Sequence, residues 1–134
     1  MRALHPFHRP RLWLGLWGLM IAAVVLGSLL PASDLPRMAF PGADKLQHLV
    51  GYVVLSAYAT MLFAGRRALG VAALGLVLLG VLIEGAQATL TVSRQADIAD
   101  MLANLAGVVL GQALRASRAA SLLQRIDLWL FSRR

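Results

Sequence analysis

The chain has 134 residues, of which 59% are hydrophobic and 14% are charged, and it contains no cysteine. With a mean hydropathy of +0.71, this composition is far from that of a soluble domain and predicts an integral membrane protein. The length suffices for one small bundle without a second domain, and the lack of cysteine excludes disulfides and thiolate metal sites. A net charge of +7 would suggest nucleic acid as partner of a soluble chain. Here the arginines lie at the ends of apolar runs, so we predict contact with anionic lipid headgroups and no nucleic-acid binding.

The first predicted membrane span is an uninterrupted apolar run from Leu12 to Leu30 that follows three arginines. Because a helix rises 1.5 Å per residue, about 20 residues cross a hydrocarbon core of roughly 30 Å. A basic flank before an apolar run also fits a cleaved signal peptide. The run is long for that role and Leu30-Pro31-Ala32 is a poor cleavage site, so we favour an uncleaved helix. Two histidines near the start of the chain are interpreted as solvated rather than metal-bound: His5 and His8.

A proline-rich loop separates this run from the second predicted span, which extends from Lys45 to Ala64 with Asp44 as its N-cap. Polar residues recur every four positions along this span, so they lie on one helical face. That face is expected to point towards protein or water. Its residues are Asp44, His48, Tyr52, Ser56 and Thr60.

The third predicted span runs from Ala68 to Leu90 and carries Glu84 and Gln87 on one face near its end. After a short polar turn, Asp97 is expected to cap the fourth span, Ile98 to Leu114. One stripe of this span has polar residues at its start and small residues at its end. The small residues would let a neighbouring helix approach closely. The stripe consists of Asp97, Asp100, Asn104, Gly107 and Gly111.

The pattern of residues 117–134 predicts an amphipathic helix that is too polar to span and lies on the membrane surface. We therefore divide the chain into a four-span domain over 1–116 and a C-terminal helix over 117–134. The expected fold is all-α, an integral membrane four-helix bundle with this additional interfacial helix.

The basic residues predict the orientation of the spans. Ten of the thirteen lysine and arginine residues flank one set of helix ends, and positive residues favour the cytoplasmic side. Both termini are then cytoplasmic, and the loops at 31–44 and 91–97 face outward.

Charged and amide side chains gather at the outward ends of the predicted spans. A charge at the centre of a membrane helix costs about 2.5 to 3.5 kcal/mol, so such residues tend to persist where they have a function. We expect one extracytoplasmic ligand-binding pocket, with His48, Glu84 and Asp100 as candidate catalytic residues and no dedicated metal site. Plainer interpretations are helix caps for Asp44 and Asp97, and a structural polar lock between spans for the whole set. The pocket residues are Asp44, Lys45, His48, Tyr52, Glu84, Gln87, Arg94, Asp97, Asp100 and Asn104.

The spacing of these residues has the form Asp44-Lys45-x-x-His48-x-x-x-Tyr52, Glu84-x-x-Gln87 and Arg94-x-x-Asp97-x-x-Asp100-x-x-x-Asn104-x-x-Gly107. Over residues 44–111 this pattern resembles the VanZ-like family of small bacterial membrane proteins. The resemblance implies a multi-pass protein of the bacterial inner membrane and cell envelope. The namesake of the family is associated with resistance to the glycopeptide teicoplanin, but the resemblance implies no particular mechanism and no catalytic residues.

Three functions are compatible with the predicted pocket. In the first, it binds an envelope lipid or a lipid-linked precursor, with Arg94 and Lys45 meeting phosphate. In the second, the protein is an intramembrane hydrolase or transferase acting on a lipid-linked substrate. His48 would be its base, oriented by Asp44, and carboxylates of spans three and four would be acids or ligands of a divalent cation. The third is a small transporter or assembly subunit, although four spans are few for an independent carrier. The expected partners are the bilayer, a phospholipid headgroup or lipid-linked precursor, and a second copy of the chain; no cofactor is predicted.

Overall fold

The computed structural model describes residues 3–30, 42–90 and 97–132, which form α-helices and 3₁₀ turns with one isolated β-bridge. Four α-helices follow one another: α1 Pro10–Leu29, α2 Ala43–Leu62, α3 Arg66–Leu90 and α4 Ile98–Ala113. Two 3₁₀ turns, Leu114–Ala116 and Arg118–Ser121, connect α4 to the shorter helix α5, Leu122–Phe131. The all-α prediction is confirmed, and one helix corresponds to each predicted span.

The starts of α2 and α4 are set by different local chemistry. α2 begins after Gly42, whose φ of +83° lies in the left-handed region that glycine adopts without strain. The prediction that Asp44 caps α2 is wrong, because Asp44 lies inside the first turn and binds the Lys45 ammonium. The predicted cap of α4 is confirmed, since the Asp97 side chain accepts a hydrogen bond of 2.8 Å from the backbone N–H of Ala99.

Two of the described helices, α1 and α3, are long and apolar enough to cross a membrane. α4 has 16 residues, about 24 Å at 1.5 Å per residue, and the 3₁₀ turn Leu114–Ala116 continues it. The outward surface of the helices is apolar, with Leu19, Leu26 and Leu82 each 67% to 69% exposed. Among the described residues, eight polar or charged ones are buried. So large an exposed apolar surface is unusual for a water-soluble protein and suits an apolar solvent.

The most extensive helix contact joins α2 and α4, and it depends on the two glycines of the predicted small stripe. A methyl group added at Gly111 would lie 2.5 Å from Ser56 Cβ and 2.7 Å from the Val53 carbonyl oxygen. Gly107 is equally tight, since its methyl group would lie 2.6 Å from the carbonyl oxygen of Leu49. The predicted close helix approach is therefore confirmed.

The C-terminal segment folds back onto the bundle. The predicted helix over 117–134 begins only at Leu122, after the second 3₁₀ turn. Leu123 is buried in an apolar cluster with Trp13 and Leu62, whereas Trp129 is 71% exposed. Helix α5 thus has apolar residues on two faces, one packed against the bundle and one exposed.

Candidate functional site

The predicted site residues that the structure describes converge at one end of the bundle, where α1 and α3 end and α2 and α4 begin. Because consecutive helices run in opposite directions, residues far apart in sequence meet there. Six of them form what we call the polar cluster: Lys45 and His48 of α2, Glu84 of α3, and Asp97, Asp100 and Asn104 at the start of α4.

Lys45 ties three carboxylates together at the rim of the polar cluster. Its Nζ lies 2.7 Å from Asp97 Oδ2, 3.2 Å from Asp100 Oδ1 and 3.1 Å from Asp44 Oδ2. The hydrogen bond from Lys45 lowers the pKa of Asp97 below its ordinary value, and the bond from the Ala99 backbone acts in the same direction. Asp44 is 57% exposed, so it belongs to the rim rather than to the buried part.

His48 is buried and is oriented by Asn104, not by Asp44 as the sequence predicts. Its Nδ1 lies 3.1 Å from Asn104 Oδ1, and because an amide oxygen only accepts, Nδ1 carries the proton of this hydrogen bond. Nε2 lies on the other side of the ring, 3.9 Å from Asp100 Oδ2. The pairing with Asn104 thus leaves Nε2 unprotonated and directed towards a carboxylate in neutral His48.

Glu84 is the most deeply buried charged group of the polar cluster, with no exposed surface. Its Oε2 accepts a hydrogen bond of 3.2 Å from the backbone N–H of Asp97. Its Oε1 lies 3.9 Å from His48 Nδ1, too far for a hydrogen bond, and has no hydrogen-bond partner among the described residues. A buried carboxylate oxygen without a partner is unfavourable, because its hydration is lost without replacement.

Two further polar atoms, on other residues of the site, are also buried without a hydrogen-bond partner among the described residues. They are the Tyr52 hydroxyl and Asn104 Nδ2. Both groups reach α3 at Gly80, where an added methyl group would lie 3.0 Å from Asn104 Nδ2 and 3.3 Å from the Tyr52 oxygen. The absence of a side chain at Gly80 makes room for these two polar groups.

A cavity of about 240 Å³ opens between α1 and α2 and reaches the buried site. Its lining includes His48 and Tyr52 together with the polar residues Ser28 and Gln47. The predicted site residue Gln87 lies on the α1 side, where its Nε2 donates a hydrogen bond of 2.8 Å to the Ser28 carbonyl oxygen. Arg94, also predicted for the pocket, lies outside the described residues.

Three members of the polar cluster have the residue types and spacing of metal ligands. One ligand atom from each of His48, Glu84 and Asp100 lies within 4.8 Å of the others, and all three residues are buried. They come from three different helices, so the bundle itself holds them together.

A second group of buried polar contacts lies at the opposite end of the bundle, and we call it the Asp127 clamp. Asp127 of α5 is 1% exposed, and both of its oxygens accept hydrogen bonds from the N-terminal segment. Oδ2 accepts from the backbone N–H of His8 at 2.6 Å and contacts His8 Nδ1 at 2.9 Å. Oδ1 accepts from Trp13 Nε1 at 2.7 Å and from the backbone N–H of Arg9 at 3.3 Å. The clamp fastens the two ends of the described chain to each other.

Sequence reasoning missed the Asp127 clamp. His8 is half-exposed but is not simply solvated, because it binds a buried carboxylate 119 positions away. The available signal was a single aspartate in an otherwise apolar and basic terminal helix, which needs a partner if it is buried.

No protein-family model, curated protein or solved structure matches this chain.

Proposed function

We propose that the protein is a multi-pass, VanZ-like protein of the bacterial inner membrane that binds the headgroup of an envelope lipid or lipid-linked precursor in its polar cluster. The observation that carries this proposal is the set of unpartnered, buried polar atoms on Tyr52, Glu84 and Asn104. Tyr52 also lines the cavity that opens between α1 and α2. Such atoms are rare in folded proteins unless a ligand, ion or water completes them. A cavity of about 240 Å³ accommodates part of a headgroup but not a whole drug-sized molecule.

The apolar exterior supports a position in the membrane. Outward leucines on α1 and α3 would contact lipid tails, and the buried polar residues face other helices. Arg66 and Arg67 lie between α2 and α3, and Arg115, Arg118 and Arg125 lie after α4, at the same end as the Asp127 clamp. By the positive-inside preference this end is cytoplasmic and the polar cluster faces outward.

Charge defines the kind of headgroup that would fit. The described residues of the site and its rim contain four carboxylates, Asp44, Glu84, Asp97 and Asp100, and one ammonium group, that of Lys45. Lys45 is occupied by three of these carboxylates, so it does not offer a free cation to phosphate. The site therefore favours ligands with hydroxyl, amine or amide donors, such as the sugar or amino groups of a precursor.

The ligand proposal is tested by extracting lipids from purified protein and identifying them by mass spectrometry. Wild type and the Glu84→Gln variant are compared with Thr89→Val, which alters an exposed hydroxyl that bonds only to its own helix. A lipid with a hydroxyl-rich or amine-rich headgroup should be enriched in wild type and Thr89→Val and depleted in Glu84→Gln. Identical lipid profiles in all three would refute the proposal.

Orientation is tested separately by cysteine labelling, which the natural absence of cysteine makes simple. Asp44→Cys should react with a membrane-impermeant maleimide in spheroplasts, and Arg67→Cys should react only after lysis. The opposite pattern would reverse the proposed topology without touching the ligand result.

The resemblance to VanZ-like proteins extends the proposal to glycopeptides. Expression of the wild-type chain in a sensitive Gram-positive host should raise the inhibitory concentration of teicoplanin, and expression of Glu84→Gln should not. Equal susceptibility with and without the wild-type chain would remove this extension alone.

A further inference from the structure

We infer that His48, Glu84 and Asp100 bind a divalent transition-metal ion, with Zn²⁺ as the preferred ion. One ligand atom of each lies within 4.8 Å of the others; Glu84 Oε1 is 3.9 Å from His48 Nδ1, and Asp100 Oδ2 is 3.9 Å from His48 Nε2. Zinc ligands about 2.0 to 2.2 Å from the ion stand about 3.3 to 3.6 Å apart in tetrahedral geometry. Separations of up to 4.8 Å exceed this spacing by about 1 Å, so the three side chains must approach one another by about that much to coordinate an ion.

An independent observation at Glu84 points to the same ligand. Glu84 Oε1 is fully buried, has no hydrogen-bond partner in the described part of the chain, and is directed towards the imidazole. Lys45 contacts Asp100 but is not an ion-pair partner of Glu84. A metal ion between these groups would supply the missing partner and compensate the buried charge.

In each of the three side chains, one nitrogen or oxygen makes a hydrogen bond and the second is left for a metal. Asn104 Oδ1 binds His48 Nδ1, which leaves Nε2 as the coordinating nitrogen, 3.9 Å from Asp100 Oδ2. Glu84 Oε1 lies 3.9 Å from Nδ1 and must turn towards Nε2 to join the same ion. Lys45 binds Asp100 Oδ1, and the backbone N–H of Asp97 binds the Oε2 atom of Glu84; Oδ2 of Asp100 and Oε1 of Glu84 remain. This is the arrangement by which outer hydrogen bonds orient the ligands of protein metal sites.

The donor set favours zinc over magnesium or calcium. An imidazole suits Zn²⁺ and other transition metals, whereas Mg²⁺ and Ca²⁺ prefer oxygen ligands, and Mg²⁺ usually keeps several waters. The dication would neutralise two carboxylates in a buried site. Three protein ligands leave a fourth position open to water or to an oxygen of a bound molecule.

The test uses untagged protein in detergent, stripped of metal by a chelator and titrated with Zn²⁺ alone against a chromophoric competitor. The metal content is then measured by elemental mass spectrometry. Wild type should bind about one ion per chain, as expected for a single three-ligand site. Glu84→Gln and Asp100→Asn should weaken binding by at least about 100-fold, and Asn104→Ala by about 10- to 100-fold because it only orients His48.

The control is Thr89→Val, which lies on the same helix as Glu84 and alters an exposed hydroxyl that bonds only to its own helix. It should bind zinc as wild type does. Size-exclusion profile and helical circular dichroism establish that each variant is folded. If Glu84→Gln does not fold, zinc should still raise the unfolding temperature of wild type more than Mg²⁺ does at equal concentration.

Two results would overturn the inference. One is folded wild type that retains no zinc after titration. The other is zinc binding that persists at full strength in Glu84→Gln and Asp100→Asn, which would assign it to His5 or His8 instead. The inference does not rest on the lipid proposal, because the titration contains the metal alone.

Discussion

Two buried carboxylates, Asp127 and Glu84, lie at opposite ends of the same bundle and are treated very differently by their surroundings. Both oxygens of Asp127 are engaged, with two contacts to His8, one to Arg9 and one to Trp13. Glu84 accepts one hydrogen bond on Oε2, and its Oε1 accepts none from the described residues. Both residues are at most 1% exposed, so burial alone does not distinguish them.

The difference separates a structural carboxylate from one held ready for a ligand. A buried charge whose hydrogen-bonding capacity is filled contributes to stability, because removing it leaves several donors unsatisfied. A buried charge that is only partly bonded lowers stability and tends to be kept where it has a function. Loss of the carboxylate should therefore lower stability at Asp127 and leave it unchanged or raise it at Glu84.

The largest effect is expected at the Asp127 clamp. Asp127→Ala leaves the donors of His8, Arg9 and Trp13 without their acceptor, and we expect it to destabilise the protein by about 3 kcal/mol. This corresponds to a fall of roughly 10 °C in the thermal unfolding midpoint in detergent. Trp13 fluorescence should shift because its indole loses a hydrogen bond.

Arg125→Ala, an exposed change on the same helix, provides the matched control and should stay within about 0.5 kcal/mol of wild type. If Asp127→Ala unfolds at the same temperature as Arg125→Ala, the clamp adds no stability and the contrast between the two ends is lost.

A smaller effect is expected at the α2–α4 contact, which connects the two ends. Gly111→Ala would set a methyl group 2.5 Å from Ser56 Cβ and 2.7 Å from backbone atoms, so the helices must separate. We expect a loss of about 2 kcal/mol, measured by thermal unfolding. Gly75→Ala on α3, with nothing within 4 Å of the added methyl group, should instead be neutral or stabilise by about 0.5 kcal/mol. Equal effects of the two alanines would mean that helix propensity, not close packing, governs this interface.

Acid should weaken the Asp127 clamp, because protonation removes the negative charge of this carboxylate. Burial raises the pKa of Asp127, but the hydrogen bonds from Trp13, His8 and Arg9 lower it more, so the pKa lies below its ordinary value of 3.8. A carboxyl whose pKa is lower in the folded than in the unfolded state stabilises fully above the unfolded value. That stabilisation is lost as the pH falls through the folded value. The unfolding temperature of wild type should therefore fall as the pH drops below 3.8, and that of Asp127→Asn should fall less steeply. If the unfolding temperatures of wild type and Asp127→Asn depend on pH in the same way, ionisation of Asp127 does not stabilise the clamp.

The sequence was informative where a periodic pattern determines geometry. The four-residue spacing along α2 predicted that His48, Tyr52, Ser56 and Thr60 share one face, and that face is buried. The glycine stripe predicted close packing of α4. Helix alternation then brought His48, Glu84 and Asp100 to one end. These results follow from helix geometry, which depends on local sequence.

Contacts that depend on the packing of the whole chain were not predictable. The bond between His8 and Asp127 joins residues 119 positions apart, and nothing in either local sequence specifies the other. Lys45 provides another example, because its pairing with Asp97 and Asp100 rather than with phosphate depends on where the start of α4 lies. The unpartnered oxygen of Glu84 belongs to the same class, since hydrogen-bond satisfaction is a property of the folded surroundings.

The smallest effect, and the one of opposite sign, is expected for Glu84→Gln in the presence of a chelator. The glutamine oxygen still accepts the hydrogen bond from the Asp97 backbone, while the uncompensated buried charge is removed. We therefore expect the variant to match wild type or to exceed it by about 1 kcal/mol in thermal unfolding. A loss of about 2 kcal/mol or more would show that the Glu84 carboxylate is paired and structural, as Asp127 is. The sign matters more than the size, because a residue whose removal stabilises the fold is one that the fold alone does not require.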